Sequence, residues 1–170
     1  MDAVNLLRKY NIDVVAHIMV GLPGECEKVS ILDNPNDVCL SKLRNNDVLN
    51  NYIVYPNWAY KNLISTVNFI NELDIQGLKI HSTYVVNGTK LCGLFEKGKY
   101  IPISLEDYLD SLCFIITHIR SDIVIHRLSA DAPRNLLVAP DWNSHKKWVI
   151  NGIDKLLNDK SLYQGMYYKD

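Results

Sequence analysis

Three histidines raise the first chemical question. His17, His81 and His126 each stand near the C-terminal end of a predicted strand, and imidazole is both a proton acceptor and a common metal ligand. Lys79 and His81 alternate with Leu78 and Ile80, so one face of the middle strand is polar. A polar strand face beneath covering helices suggests a cavity rather than a dry core. The plainer alternative for each histidine is a hydrogen-bonded core residue. No carboxylate stands at a matching strand end, so a metal site is not expected. Beyond the third strand, His126, Arg127, Asp131 and Arg134 crowd the loop "HRLSADAPRNLLVAPDW", which Pro133 and Pro140 stiffen. A guanidinium fork suits a carboxylate or a phosphate. An Arg–Asp pair that pins the loop is the structural alternative.

A second candidate is "HIMVGLPGE", residues 17–25, where an apolar run stops in a tight glycine corner. Gly21 and Gly24 permit positive φ and let a flat or charged ligand approach the backbone around Leu22, Pro23 and Glu25. The corner is not a phosphate-binding loop, because the full glycine pattern and the following Lys-Ser/Thr are missing. Many ordinary turns look like it. The four cysteines, Cys26, Cys39, Cys92 and Cys113, have no metal-ligand spacing among themselves. Cys113 falls on the apolar face of a predicted helix and reads as a small core hydrophobe.

These residues need elements to hold them, and helix and strand signals alternate. Ala3, Val4, Leu7 and Tyr10 lie at helical spacing, followed by the strand "DVVAHIMV". The spacing predicts a helix from Trp58 to Leu73 and a strand "GLKIHSTYVV" from Gly77. A short helix follows over Leu91 to Glu96, closed by Gly98. Ser104 to Ile119 carries a capping box, Ser104 with Asp107, and the stripe Leu105, Tyr108, Leu109, Leu112 and Ile116. "DIVIHRL" is the third strand, and Asn143 to Leu157 the last helix, with Val149, Gly152, Ile153 and Leu156 facing inward. The tail "SLYQGMYYKD" either packs or frays.

Alternation of this kind implies an α/β fold: about three parallel strands with covering helices. Three strands are too few for a closed barrel, which takes eight strands and roughly 250 residues. With 170 residues, 48% of them hydrophobic, a single domain over 1–170 is expected, and it can bury a real core. Residues 26–57 break the rhythm with seven asparagines and two prolines. They read as a surface insertion or a substrate lid within that domain. The net charge of −1, with acids and bases interspersed, gives no footprint for nucleic acid or an anionic membrane. No apolar run approaches the ~20 residues of a membrane span, and the N-terminus lacks a signal-peptide core. A cytoplasmic protein is the expectation.

"HIMVGLPGE", "GLKIHSTYVVNGT", "SLEDYLDSLCFIITHI" and "VIHRLSADAPRNLLVAPDWNSHKKWVINGID" with "YQG" resemble, in that order, the C-terminal half of YhcC-like radical S-adenosylmethionine proteins. These lie in the branch containing the elongator-type and coproporphyrinogen-dehydrogenase-type enzymes. "HRL..DAPR..LVAP.W" is the specific part, while the corner is shared across the branch. The resemblance implies a partial (β/α) barrel and two cofactors: S-adenosylmethionine and a 4Fe-4S cluster held by three cysteines of an early loop. The reduced cofactor yields a 5′-deoxyadenosyl radical that takes a hydrogen atom from substrate. It also implies that Gly21, Leu22, Pro23, Gly24 and Glu25 lie against adenosine. His81, His126, Arg127, Asp131 and Arg134 would then line the substrate side.

The three-cysteine loop of that family has no counterpart here, and Cys26 and Cys39 have the wrong position and spacing to replace it. The chain is therefore expected to be a C-terminal piece of such an enzyme. It would bind neither cofactor stably by itself, and a missing N-terminal half or a separate chain would complete the barrel. Two other readings stay open: a stand-alone binding module derived from such a barrel, and a metal-dependent barrel hydrolase using the three histidines.

Overall fold

The computed structural model describes residues 2–23, 28–29, 59–130, 132–133 and 135–168. Helix α1 (Asp2–Lys9) leads into strand β1 (Val15–Val20). The two-residue strands β2 (Lys28–Val29) and β3 (Ala59–Tyr60) pair antiparallel with each other. Then come α2 (Lys61–Glu72), β4 (Gly77–Ser82), β5 (Val85–Val86), α3 (Lys90–Glu96) and α4 (Leu105–His118). Strands β6 (Val124–Arg127) and β7 (Leu137–Ala139), a 3-10 turn at Asp141–Ser144 and α5 (Lys146–Asp159) complete the order. Strands β1, β4 and β6 form a parallel sheet in the order β1-β4-β6. The expected α/β class and its three parallel strands are both present.

Local sequence explains the best-defined helix. Ser104 Oγ accepts the Asp107 amide at 3.0 Å and donates to the Asp107 carboxylate at 2.9 Å, while Glu106 and Asp107 place negative charge at the positive helix end. Helix α4 is buried well beyond a single stripe. Every residue from Ser111 to His118 is buried, because α2 packs on one side of it and α5 on another. Gly152 of α5 permits the close approach, since a Cβ there would lie 2.7 Å from a Leu109 methyl. Cys113 is a core residue, and burial pushes its thiol pKa up to about 12.

Leu78 and Ile80 of β4 are fully buried in the cluster formed with α2 and α4, where each contributes about 2 kcal/mol of apolar burial. The opposite face carries Val15, His17, Met19, Lys79 and Val124, all exposed. Parallel sheets are ordinarily covered on both faces. Among the described residues, this one is covered on one face only.

Several sequence expectations shift. The strand from Gly77 is two strands: after Ser82 the chain leaves the sheet, and β5 pairs antiparallel with β7, a strand hidden in the proline-rich loop. The helix predicted from Trp58 begins at Lys61, after β3. The last helix begins at Lys146 instead of Asn143, with a 3-10 turn before it. The tail packs: Leu162 and Tyr167 join the core periphery, and Gln164 Nε2 donates to the carbonyls of Arg120 (2.9 Å) and Ile123 (2.7 Å). Of 26–57, only Lys28–Val29 is described. The choice between insertion and lid lies outside the described residues.

Candidate functional site

The apolar strand β1 ends where Gly21 takes φ +85°, a left-handed conformation that costs an L-residue about 1–2 kcal/mol. Three contacts hold this corner. Tyr100, buried, donates its hydroxyl to the Gly21 carbonyl at 2.7 Å. A Cβ on Gly21 would meet Ile103 Cγ2 at 3.0 Å, and Ile103 is itself fixed because its carbonyl accepts Trp142 Nε1 at 3.1 Å. From β4, the Thr83 amide donates to the Val20 carbonyl at 2.8 Å. Leu22 and Pro23 follow, exposed; Gly24 and Glu25 lie outside the described residues. Gly21→Ala should lower stability by about 1–3 kcal/mol in urea unfolding, combining backbone strain with displacement of Ile103. Gly93→Ala, inside α3 with open space around it, should instead stabilise by about 0.5–1 kcal/mol.

The open sheet face places the histidines. His17 pairs in register with Lys79, and Lys79 pairs with Arg127 on its other side, so one row across three strands carries three basic residues on one face. His17 is the third residue of β1 and sits mid-strand, not at the strand end as expected. His81 pairs with Met19 one step further on, and its ring meets that of His17 edge-on, with centroids 4.1 Å apart. The register slips between Leu78 and Lys79, leaving His126 opposite no partner. The His126 ring folds back over Gly77: a Cβ there would lie 2.4 Å from Nε2. Glycine at 77 is thus what lets an imidazole lie across the sheet floor.

This floor is basic. The described ion pairs, Arg8 with Asp13 and Asp74 and Arg120 with Asp122, all lie elsewhere. The three strand histidines do not converge on one point: His17 and His81 touch, while His126 lies against Gly77. Among the described residues no group of three or more His, Cys, Asp or Glu side chains could hold a metal ion. Asp131 and Arg134 lie outside the described residues, so their predicted place in the loop is not described.

At the end of β4 sits a buried polar pair that the sequence reading missed, Ser82 with Asn143. Ser82 Oγ and Asn143 Oδ1 are 2.5 Å apart, with Ser82 donating. Thr83 Oγ1, Ser129 Oγ and Asn143 Nδ2 are buried with no hydrogen-bond partner among the described residues. The only signal for it in sequence is the pair Ser82-Thr83 ending an alternating strand; Asn143 passed for a helix start. Tyr100 gave no signal either. The two described cysteines suit no cluster: Cys92 and Cys113 are buried on separate elements, and burial raises both thiol pKa values, whereas metal binding needs thiolates.

A family model described as the Radical_SAM C-terminal domain matches residues 75–159, half of the chain. The chain belongs to this Radical_SAM C-terminal domain family. The matched stretch runs from the turn before β4 to the end of α5, so it contains two of the three strands of the sheet floor, β4 and β6, together with the β6 loop and the Ser82–Asn143 pair. The chain is 28% identical over 169 residues to the protein YtqA of Bacillus subtilis, covering 99% of this chain and 42% of that one. It is 25% identical over 154 residues to the protein YhcC of Escherichia coli strain K12, covering 91% and 39%. The chain thus spans about two fifths of the length of these curated relatives. The solved structure of the archaeal Methanocaldococcus infernus Elp3 with an N-terminal deletion superposes with TM-score 0.59 at 16% identity, covering 96% of this chain and 31% of that one. The fold of this chain is therefore shared with part of Elp3. No helix among the described residues is long and apolar enough to cross a membrane.

Proposed function

We propose that this chain forms the C-terminal side of a radical S-adenosylmethionine barrel, supplying the adenosine-facing corner and part of the substrate wall of an enzyme. The observation that carries the reading is the Gly21 corner: a left-handed glycine ends β1, and Tyr100 and Ile103 clamp it at the C-terminal edge of an open parallel sheet. Ligands of α/β sheets bind at that edge. Thr83 Oγ1, buried with no hydrogen-bond partner among the described residues, belongs to the residue whose amide joins the end of β1. An unused hydroxyl beside a glycine corner fits the polar edge of a nucleoside. When bound, the cofactor supplies one-electron chemistry; Gly21, Leu22, Pro23, Gly24 and Glu25 would orient its adenosine. His81, His126 and Arg127 would face the substrate and exclude or order water there, with Asp131 and Arg134 in the adjoining loop.

The iron–sulfur cluster does not fit the described residues, whose thiols are buried and separate. No step is assigned to it in this chain. Anaerobic reconstitution with iron and sulfide, followed by the visible spectrum, tests the division of labour. The expected result is no stable charge-transfer band. A stable band with about four irons per chain overturns the proposal.

The exposed edge of the sheet favours a second part of this reading. β1 has no partner on its outer side among the described residues, and Leu6, Tyr10, Ile12, Val15 and Met19 are exposed beside it. Unpaired edges and apolar surface of this kind call for a covering chain. The preceding part of the barrel, in the same polypeptide or a separate one, is the proposed cover. Size-exclusion chromatography separates this from a stand-alone module: a soluble monomer at high concentration favours the module, whereas self-association relieved by an N-terminal barrel half favours the cover.

A further inference from the structure

We propose that the pocket between β6 and the N-terminus of α5 binds an oxyanion, the phosphate or carboxylate group of a small molecule. The pocket has a volume of about 390 Å³ and is lined by His126, Arg127 and Ser129 from β6 and its exit, and by Lys146 and Ile150 from α5. Among the described residues no carboxylate lines it. Three basic residues around one cavity are a local excess in a chain whose net charge is −1.

The helix end strengthens the field. α5 has 14 residues, and its positive end opens with Lys146 and Lys147 and no acidic residue in the first turn. That is the reverse of the usual preference, since lysines at a helix N-terminus oppose the macrodipole. His145, in the cap position, makes no side-chain hydrogen bond to the first-turn amides. Two unfavourable choices at one helix end become favourable together when an anion sits there.

A second, independent feature points the same way. Ser129, 3% exposed, lines the pocket, and its hydroxyl has no hydrogen-bond partner among the described residues. A buried hydroxyl without a partner is costly, and an oxyanion would accept its proton. The guanidinium of Arg127 gives a planar fork and Lys146 a compact charge, which together suit an oxyanion. This inference rests on the chain's own side chains and does not depend on the cofactor reading.

The test is titration of the isotope-labelled 170-residue chain with inorganic phosphate and, separately, malonate, at constant ionic strength set by sodium chloride, reading backbone amide shifts. Saturable shifts concentrated at Ser129, Lys146 and Lys147, weakened at least tenfold in Arg127→Gln and in Lys146→Gln, are expected. Tighter binding of phosphate than of malonate marks a phosphate site; the reverse order marks a carboxylate site. Shifts that never saturate, or saturable shifts unchanged in both variants, overturn the proposal. Both replaced residues are exposed, so both variants should keep the dispersed spectrum of the folded chain.

Discussion

Arg120→Ala is expected to destabilise the fold by about 3 kcal/mol in urea unfolding, a large effect for a residue outside every secondary-structure element. Its guanidinium donates to the carbonyls of Asn71 at 2.8 Å, Leu73 at 2.9 Å and Ile75 at 3.3 Å, the residues that join α2 to β4. The same group holds Asp122 at 3.0 Å and keeps that carboxyl below the usual carboxylate range. Its own backbone is tied in turn: the amide donates to Asn71 Oδ1, and the carbonyl accepts Gln164 Nε2. The side chain thus joins the turn before β4 to the turn before β6, and the backbone of the same residue ties in the C-terminal tail. Alanine leaves three carbonyls to find water in a half-buried turn, and the loss of charge-assisted bonds dominates the cost. Arg120→Lys keeps the charge but loses the fork, so it should recover less than half of the stability. Arg8, whose partners Asp13 and Asp74 are largely exposed, should show no measurable change when replaced by alanine, because water competes with both ion pairs.

The second large effect depends on pH. His118 is buried at the end of α4, between the rings of Phe114 (4.1 Å) and Tyr167 (5.4 Å). Burial lowers its pKa to about 4, against a smaller opposing effect from the hydrogen bond to the Phe114 carbonyl. The folded state therefore favours neutral imidazole, while the unfolded chain takes up a proton near pH 6.5. Between those values the unfolded state binds more protons, so stability rises with pH through the window from about 4 to 6.5. It is fully present above that window and lost as the pH falls through it. The full span is worth about 3 kcal/mol. Urea unfolding at pH 7.5 and pH 4.5 should show most of this difference. His118→Gln should remove the slope across the window even if it lowers stability at both pH values. A slope that survives the substitution would assign the effect to other groups.

How much of this was legible beforehand differs by feature. The helix over Leu105–His118 was readable because its cap, Ser104 with Asp107, and its stripe are local signals. The three parallel strands were readable because each is a short apolar run between helical segments. The split at Ser82 was not, because nothing in "GLKIHSTYVV" marks where the chain leaves one sheet for another. That departure depends on β7, a strand of three residues some fifty positions later. Arg120 and His118 were also illegible. A lone arginine after a helix reads as surface charge, and a histidine in a helix's last turn reads as a dipole partner. Their roles come from carbonyls and rings contributed by distant turns.

At the candidate site the same division holds. His81, His126 and Arg127 were named from residue type and strand position, and the structure puts all three on β4 or β6. It moved His17 to mid-strand and showed that the histidines do not converge.

By itself, the sequence determined the α/β class, the order of its main elements and the family, because periodicity, caps and motif order are written within tens of residues. Only the tertiary structure decided which sheet face is open and that His126 lies over Gly77. It alone showed that Tyr100 clamps Gly21 from 79 positions away and that Ser129 and Lys146 share one pocket. Those facts depend on register and packing between distant segments, where a shift of one residue would turn each side chain to the opposite face.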